Sequence, residues 1–529
     1  MPGFVVNTDQ EGLDPEPDSR REEDADPPPT GTFGSLYQPP PTSWPREIGI
    51  FLRRLLVGIP LFACVGLTLW GAYRTIVRPL CGKVVLALDF ERRREAADLR
   101  EDLRFLRSAL EENHPDLYAS QSPAQMAAGF ARAEGRLRDG MSTAEFLREA
   151  APLVAAAGCG HTGLRPSLRT TRAALAGGRF LPLGVRFSRG RAYLVYHYAD
   201  GIGIPRGAEL LSMNGIPLPE VRRRLLDRLP SDRRSPTYNR ALAETQFPYW
   251  YWAFIDRSTR SRVRYRDPVD ESEREATVQT VSARRFLRSY ADQHPELDPT
   301  RPLPRMRRVV LRDQRLAYLR LHTFAPERRP DSAESLRVFF AELAEAGVET
   351  LVVDLRGNAG GPPDVSVDLL RYLLAEPFAY LVEPERVEHR PLNYERYYAE
   401  FTPHPGRFAG RLIVLIGPGS FSTTGHFLAH LAARDRALFV GRESGGSALC
   451  YDGSLHLELP HTGLRLRVAR FPFQASGADA YLGRGIPPHI EVQPEIDDLV
   501  AGRDTVLTFL GERFGLDLSV IEDAAPAGR

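Results

Sequence analysis

The sequence predicts a layered α/β fold with largely parallel strands, preceded by one membrane-spanning helix, a helical region and a β-rich region. Three observations predict it. Beyond residue 307, apolar strand-like runs alternate with helical segments in β-α-β-α order. Between Leu99 and Ala157, apolar residues recur at i, i+3 and i+4. Between 180 and 290 the texture turns to strands with hairpin-like glycines, as in FLPLGVRFSRGRAYLVYHY.

Residues 1–46 hold ten prolines and nine acidic residues. Such a segment buries too little apolar surface to offset its chain entropy and is expected to be disordered. The region 50–76 contains LLVGIPLFACVGLTLWGAY, residues 55–73, without a charge. That length suffices for a helix to cross a bilayer core, and Trp70 and Tyr73 suit its interface. Pro60 bends such a helix without forbidding it. More than fifty residues precede the run and no A-x-A-like site follows, which predicts an uncleaved anchor. Arginines flank both ends, so charge does not set its orientation.

A helical region over 84–170 follows, with three amphipathic helices in LRFLRSALEENHPDLY, AAGFARAEGRL and TAEFLREAAPLVAAA. The β-rich region occupies 178–290. Its aromatic cluster FPYWYWAFID, residues 247–256, reads as hydrophobic core in preference to a ligand pocket. The α/β core spans 300–500: RVVLRDQRLAYLRL, a helix near 333–346, TLVVDL, a helix near 364–374, RLIVLI, a helix from 422, and ALFVG. Residues 501–529 form a C-terminal helix and tail.

With 69 basic against 68 acidic residues, the chain carries no general nucleic-acid footprint. Lys83 is its one lysine. Cys64, Cys81, Cys159 and Cys450 match no zinc spacing, and neither a metal nor a cofactor is expected.

Three segments have the composition of a reactive site. GCGHTGL, residues 158–164, places His161 among glycines. DLRGNAGGPPD, residues 354–364, runs from a strand end through a glycine turn into a helix. GPGSFSTTGHF, residues 417–427, sets Ser422 at a strand-to-helix turn. Together they suit acyl transfer. A serine hydroxyl needs a base, and the tetrahedral intermediate needs two aimed N–H donors. Gly360 and Gly361 let backbone approach closely for one donor, and the N–H of Thr423 at the helix start suits the other. His426 and His430, on the helix that follows Ser422, read as helix-face residues.

DLRGNAGG, then a strand and SFSTTGHF, then GRESGG and GRGIPPHIEV, resembles the C-terminal processing (tail-specific) serine peptidases, including their tricorn-like branch. NHPDLY and GCGHTGL resemble the family's helical N-terminal region, and GIPRGAELLSMNG (203–215) the end of a PDZ-like module. The resemblance covers roughly residues 95–495, with the motifs in family order. It implies a ClpP/crotonase-like layered core with an inserted PDZ-like β module, Ser422 as nucleophile, and Gly360, Gly361 and Thr423 as oxyanion donors. A lysine base would fall near Ser447, where there is none, so the Ser/His branch is implied with His161 as general base. Glu443 in GRESGG is the first candidate to orient His161, with Asp452 and Asp354 behind it. The glutamate of the tricorn-like branch aligns with Leu482. Cys159 and Cys450 flank the site motifs, either as a disulfide or as two thiols.

The expected protein is a membrane-anchored serine endopeptidase, its catalytic domain outside the cytoplasm, acting on exported polypeptides. Its rival is a catalytically silent ligand- or peptide-binding protein on the same fold.

Overall fold

The computed structural model describes residues 77–232, 237–294, 305–326, 332–385, 391, 393–518 and 521. The acidic tail 1–46 and the apolar run 55–73 lie outside the described residues. Among the described residues no helix is long and apolar enough to cross a membrane.

The helical region forms as its periodicity predicts. Helix α1 (Arg78–Asp89) leads to α2 (Ala96–Asn113), whose Leu99, Leu103, Leu106 and Leu110 are buried on one face. Helices α3 (Pro123–Glu134) and α4 (Thr143–Ala155) each begin with a reciprocal capping box, Ser122 with Gln125 and Ser142 with Glu145. Each box satisfies two N–H groups that a helix start leaves without intrahelical partners. The chain then passes His161 and enters the short strand β1 (Gly163–Arg165) and helix α5 (Leu168–Gly177).

Residues 178–290 are less purely β than their texture predicts. An antiparallel sheet contains β2 (Leu183–Ser188), β3 (Arg191–His197), β4 (Glu209–Met213), β5 (Arg260–Arg266) and β6 (Glu273–Gln279), in the order β6-β5-β4-β3-β2. The Asn-Gly pair that ends GIPRGAELLSMNG is a hairpin turn: Asn214 and Gly215 have φ of 47° and 78°, between paired Met213 and Ile216. Three helices interrupt the strands between β4 and β5: Leu218–Leu226, α6 (Tyr238–Thr245) and α7 (Phe247–Phe254). Every residue of α7 is buried, so the aromatic cluster is core. At the sheet edge, Phe187 N–H donates to Glu244 Oε1 and Phe187 C=O accepts from Arg240 Nη2, both side chains on α6.

The α/β core is built on one six-stranded sheet. In chain order its parts are β7 (Met306–Leu311), β8 (Leu316–Leu321), α8 (Ser332–Glu345), β9 (Thr350–Asp354), α9 (Asp364–Leu373), β10 (Arg411–Ile416), α10 (Thr423–Ala432) and β11 (Leu438–Gly441). An excursion follows of β12 (Leu449–Asp452), β13 (Leu455–Glu458), β14 (Arg465–Val468) and β15 (Phe471–Gln474), before β16 (Ile490–Glu491) closes the sheet. The spatial order is β7-β8-β9-β10-β11-β16, and only β7 is antiparallel to its neighbour.

Both faces are covered, which is why these strands read as continuous apolar runs. Leu319, Leu351, Val353, Leu412 and Val414 pack with residues of α8, α9 and α10. Their alternating neighbours Tyr318, Val352, Ile413 and Leu415 pack on Val506, Leu507 and Leu510 of α11 (Thr505–Phe514).

Candidate active site

Strands β9 and β10 are parallel neighbours, so the loops after Asp354 and Ile416 leave the same edge of the sheet side by side. Open α/β sheets bind ligands at that carboxyl edge. Buried Asn358 joins the two loops. Its side chain donates to Leu321 O (3.1 Å) and accepts from Gly360 N–H (2.9 Å) and Thr424 Oγ1 (3.0 Å). Its main-chain carbonyl accepts from Phe421 N–H (3.0 Å).

Ser422 is the N-cap of α10 but does not cap it. Its backbone has φ 59° and ψ −128°, and its side chain accepts no bond from the helix. An N-cap serine ordinarily folds onto the first turn at negative φ. A non-glycine residue held in this region stores on the order of 1–3 kcal/mol, which the surrounding packing must offset. Gly360 lies directly against it: a Cβ there would stand 2.8 Å from Ser422 Cβ and 3.0 Å from Thr423 N. The Thr423 hydroxyl donates to Gly361 O. The N–H of Gly360 is already engaged by Asn358 Oδ1, which corrects its expected role as an oxyanion donor. Among the described residues the N–H groups of Gly361 and Thr423 meet no hydrogen-bond acceptor.

His161 reaches this edge from the helical region. The loop that carries it is followed by β1, which pairs with β14 of the excursion. Its ring stacks on Phe421 at 4.7 Å, and Phe421 stacks on Tyr238 at 3.7 Å. Gly160 is required there, because a Cβ would stand 2.3 Å from Phe421 Cζ. His161 Nε2 faces Asp452 Oδ2 at 3.4 Å, and Nδ1 faces Cys450 Sγ at 3.4 Å. Ser422 Oγ meets the same thiol at 4.0 Å.

The acid at His161 is therefore Asp452, the second-ranked expectation, and not Glu443. Glu443 lies instead against Gly485, where an added Cβ would stand 2.8 Å from its Cγ. Asp354 is bound to Tyr318 and Arg356 and braces the strand end. Asp452 is itself held by Arg467 Nη2 (2.7 Å) and Ser454 Oγ (2.7 Å).

Burial pushes the His161 imidazole down to about 4; Asp452 opposes the shift and Arg467 adds to it. For Asp452 burial pushes upward, but His161, Arg467 and Ser454 outweigh it and hold the carboxyl at about 2. Near neutral pH the pair is thus a neutral imidazole beside a carboxylate. A carboxylate only accepts, so Nε2 carries the ring proton and Nδ1 is the basic nitrogen.

Cys159 and Cys450 are buried free thiols, which excludes the disulfide alternative in this structure. His426 Nε2 is bonded to Phe473 O and His430 Nε2 to Tyr380 O, as helix-face histidines. Ser447 donates to Leu449 O, and Leu482 packs against the core beneath the excursion. Sequence reasoning missed Cys450 as a site group and Asn358 as the link between the loops. The available signal for Cys450 was its spacing from Asp452, since i and i+2 on a strand share a face.

A serine at a strained helix start thus lies on the carboxyl edge of a parallel sheet, with a histidine–aspartate pair nearby, an arrangement whose groups suit acyl transfer. Residues 315–492 match the model of peptidase family S41, and the resemblance to the C-terminal processing peptidases stands on that segment. A carboxyl-terminal-processing protease of Synechocystis sp. is 26% identical over 172 residues, which are 32% of this chain and 35% of that protein. The matched segment thus spans about a third of that curated relative. The crystal structure of mature CPAF shares the fold with a TM-score of 0.58 at 17% identity, over 81% of this chain and 98% of that one. Mature CPAF complexed with lactacystin gives 0.58 at 16% identity, over 81% and 99%.

Proposed function

We propose that the protein is a serine endopeptidase of the tail-specific kind, in which Ser422 attacks the peptide carbonyl and His161 is the general base. Asp452 orients the imidazole, and the amides of Thr423 and Gly361 receive the oxyanion. The Ser422 backbone carries this reading. A serine at positive φ whose hydroxyl leaves its own helix uncapped has given up ordinary turn chemistry, which supports a role as the nucleophile that such a site needs.

The substrate is a polypeptide, handled by a ClpP/crotonase-like core with residues 178–290 as a PDZ-like module. Support for the module is its β4 hairpin at Asn214–Gly215. Addition of a peptide strand beside β2 would have to displace Arg240 and Glu244 from Phe187. Residues 55–73 anchor the chain in a membrane, with the catalytic domain on the extracytoplasmic side. One observation favours the silent binding protein instead: among the described residues no hydrogen bond joins Ser422 directly to His161.

Labelling of the full-length chain by a fluorophosphonate probe decides between them. Peptidase chemistry predicts labelling of the wild type that is lost in both Ser422→Ala and His161→Ala. A folded wild type that neither labels nor cleaves unstructured polypeptide refutes the reading.

A further inference from the structure

Cys450 stands between the two groups that serine chemistry needs to connect. Its Sγ lies 4.0 Å from Ser422 Oγ and 3.4 Å from His161 Nδ1. The position is built by the strand: Cys450 and Asp452 pair with Phe473 and Phe471 and project from the same face of β12. One side chain meets each nitrogen of the imidazole. With the Nε2 proton directed at Asp452, the lone pair of Nδ1 points to the thiol, and the proton in front of it is the one on sulfur.

We propose that Cys450 relays the proton between Ser422 and His161, a role that rests on the peptidase reading above. As Oγ bonds to the substrate carbonyl carbon, its proton passes to Sγ while the Sγ proton passes to Nδ1. The carbonyl π pair moves to oxygen, and the imidazolium is held by Asp452. On collapse the C–N bond breaks, Nδ1 returns its proton to Sγ, and the thiol proton goes to the departing amine nitrogen. Water then enters by the same route: its proton goes through sulfur to Nδ1 as its oxygen bonds to the acyl carbon and the carbonyl π pair moves to oxygen, and on collapse the acyl C–Oγ bond breaks while Nδ1 returns the proton through sulfur to Ser422 Oγ. The thiol begins and ends each half-reaction as S–H, so no oxidant or reductant takes part.

Two features separate a relay from a second nucleophile. Cys450 is 3% exposed, beneath the reactive hydroxyl. Burial, together with the carboxylates of Asp232 and Asp452, pushes the thiol well up, which keeps it protonated at rest.

The test compares fluorophosphonate labelling rates of the full-length wild type, Cys450→Val, Cys450→Ser and Ser422→Ala, each checked for cooperative unfolding. Valine fills the space without a transferable proton, whereas serine keeps one. The relay predicts a loss of about a hundredfold or more in Cys450→Val and recovery to within about tenfold of wild type in Cys450→Ser. Should Cys450→Val not fold, Cys450→Ala takes its place. A valine variant as fast as the wild type overturns the relay, and a faster one shows that the thiol is a plug. Probe that maps to Cys450 and persists in Ser422→Ala makes the cysteine the nucleophile and also overturns it. An unlabelled, inactive wild type brings down the peptidase reading and the relay together; a labelled wild type with an unimpaired valine variant brings down the relay alone.

Discussion

Replacing Asn358 by alanine is expected to damage the site without touching a reacting atom. The side chain makes three bonds, to Leu321 O, Gly360 N–H and Thr424 Oγ1. Thr424 keeps a second acceptor in the Asn358 main-chain carbonyl, so its loss is small. The Gly360 N–H and the Leu321 carbonyl keep no such substitute from the deleted side chain. Two buried backbone groups left without partners cost about 1–3 kcal/mol each, so the variant should lose roughly 2–6 kcal/mol. The same change frees Gly360, which touches Ser422 and whose carbonyl holds Phe324 N–H and Thr323 Oγ1. Urea unfolding reads the stability. Fluorophosphonate labelling, at urea concentrations where the variant is fully folded, reads the site. We expect labelling to fall on the order of tenfold or more there, because a misplaced oxyanion donor or nucleophile weakens transition-state stabilisation. A stability loss below about 1 kcal/mol, or folded variant that labels at the wild-type rate, refutes the claim that Asn358 couples the two loops.

Three further outcomes follow from the same geometry. Asp452→Asn should fold normally yet label on the order of a hundredfold more slowly, because the amide can present either a donor or an acceptor to Nε2 and no longer fixes the tautomer; an unchanged rate would remove Asp452 from the site. Acid should weaken the fold. His161 and His426 are pushed by burial to about 4, and His430 to about 3, against about 6.5 unfolded, so their stabilisation is complete above pH 6.5 and is lost as pH falls toward 4. At neutral pH His161 and His426 each contribute about 3 kcal/mol and His430 about 5 kcal/mol, so the urea midpoint should drop clearly between pH 7 and pH 5, and a flat midpoint would contradict it. His426→Gln, which can still donate to Phe473 O, should label within about threefold of wild type; a large loss would make His426, and not His161, the base.

The core was legible because its strands are buried on both faces and helix α8 on one, although α10 is buried all round. TLVVDL and RLIVLI have no polar face to confuse the reading, and the helices between them end where the apolar period ends. Residues 178–290 were less legible for the opposite reason. Phe247–Phe254 is apolar on every side and rich in residues that favour strands, so it has no helical period to detect, and only complete burial makes it a helix. In the candidate site, Ser422 and His161 could be singled out from sequence because their motifs are local. The orienting acid could not be chosen from sequence, because Glu443 and Asp452 are nine positions apart and the choice depends on how β12 pairs with β15 and how β14 brings β1 and its loop to that strand.

Composition narrows the chemistry further than any single motif. Arginine does not deprotonate in proteins, and Lys83 is the one lysine, so a lysine or arginine base for Ser422 within the core is excluded and histidine becomes the leading candidate. His426 and His430 direct Nε2 to main-chain carbonyls, and Arg434 covers Nδ1 of His430. His161 differs: its Nε2 has a carboxylate partner, and its Nδ1 faces a group that can exchange a proton. A positive charge formed on that ring would be met by Asp452, whereas on His430 it would be met by the Arg434 guanidinium. Carboxylate support behind one nitrogen and a labile proton in front of the other distinguish a base from a buried structural histidine. By that criterion the imidazole at 161 is the one we propose as base for Ser422.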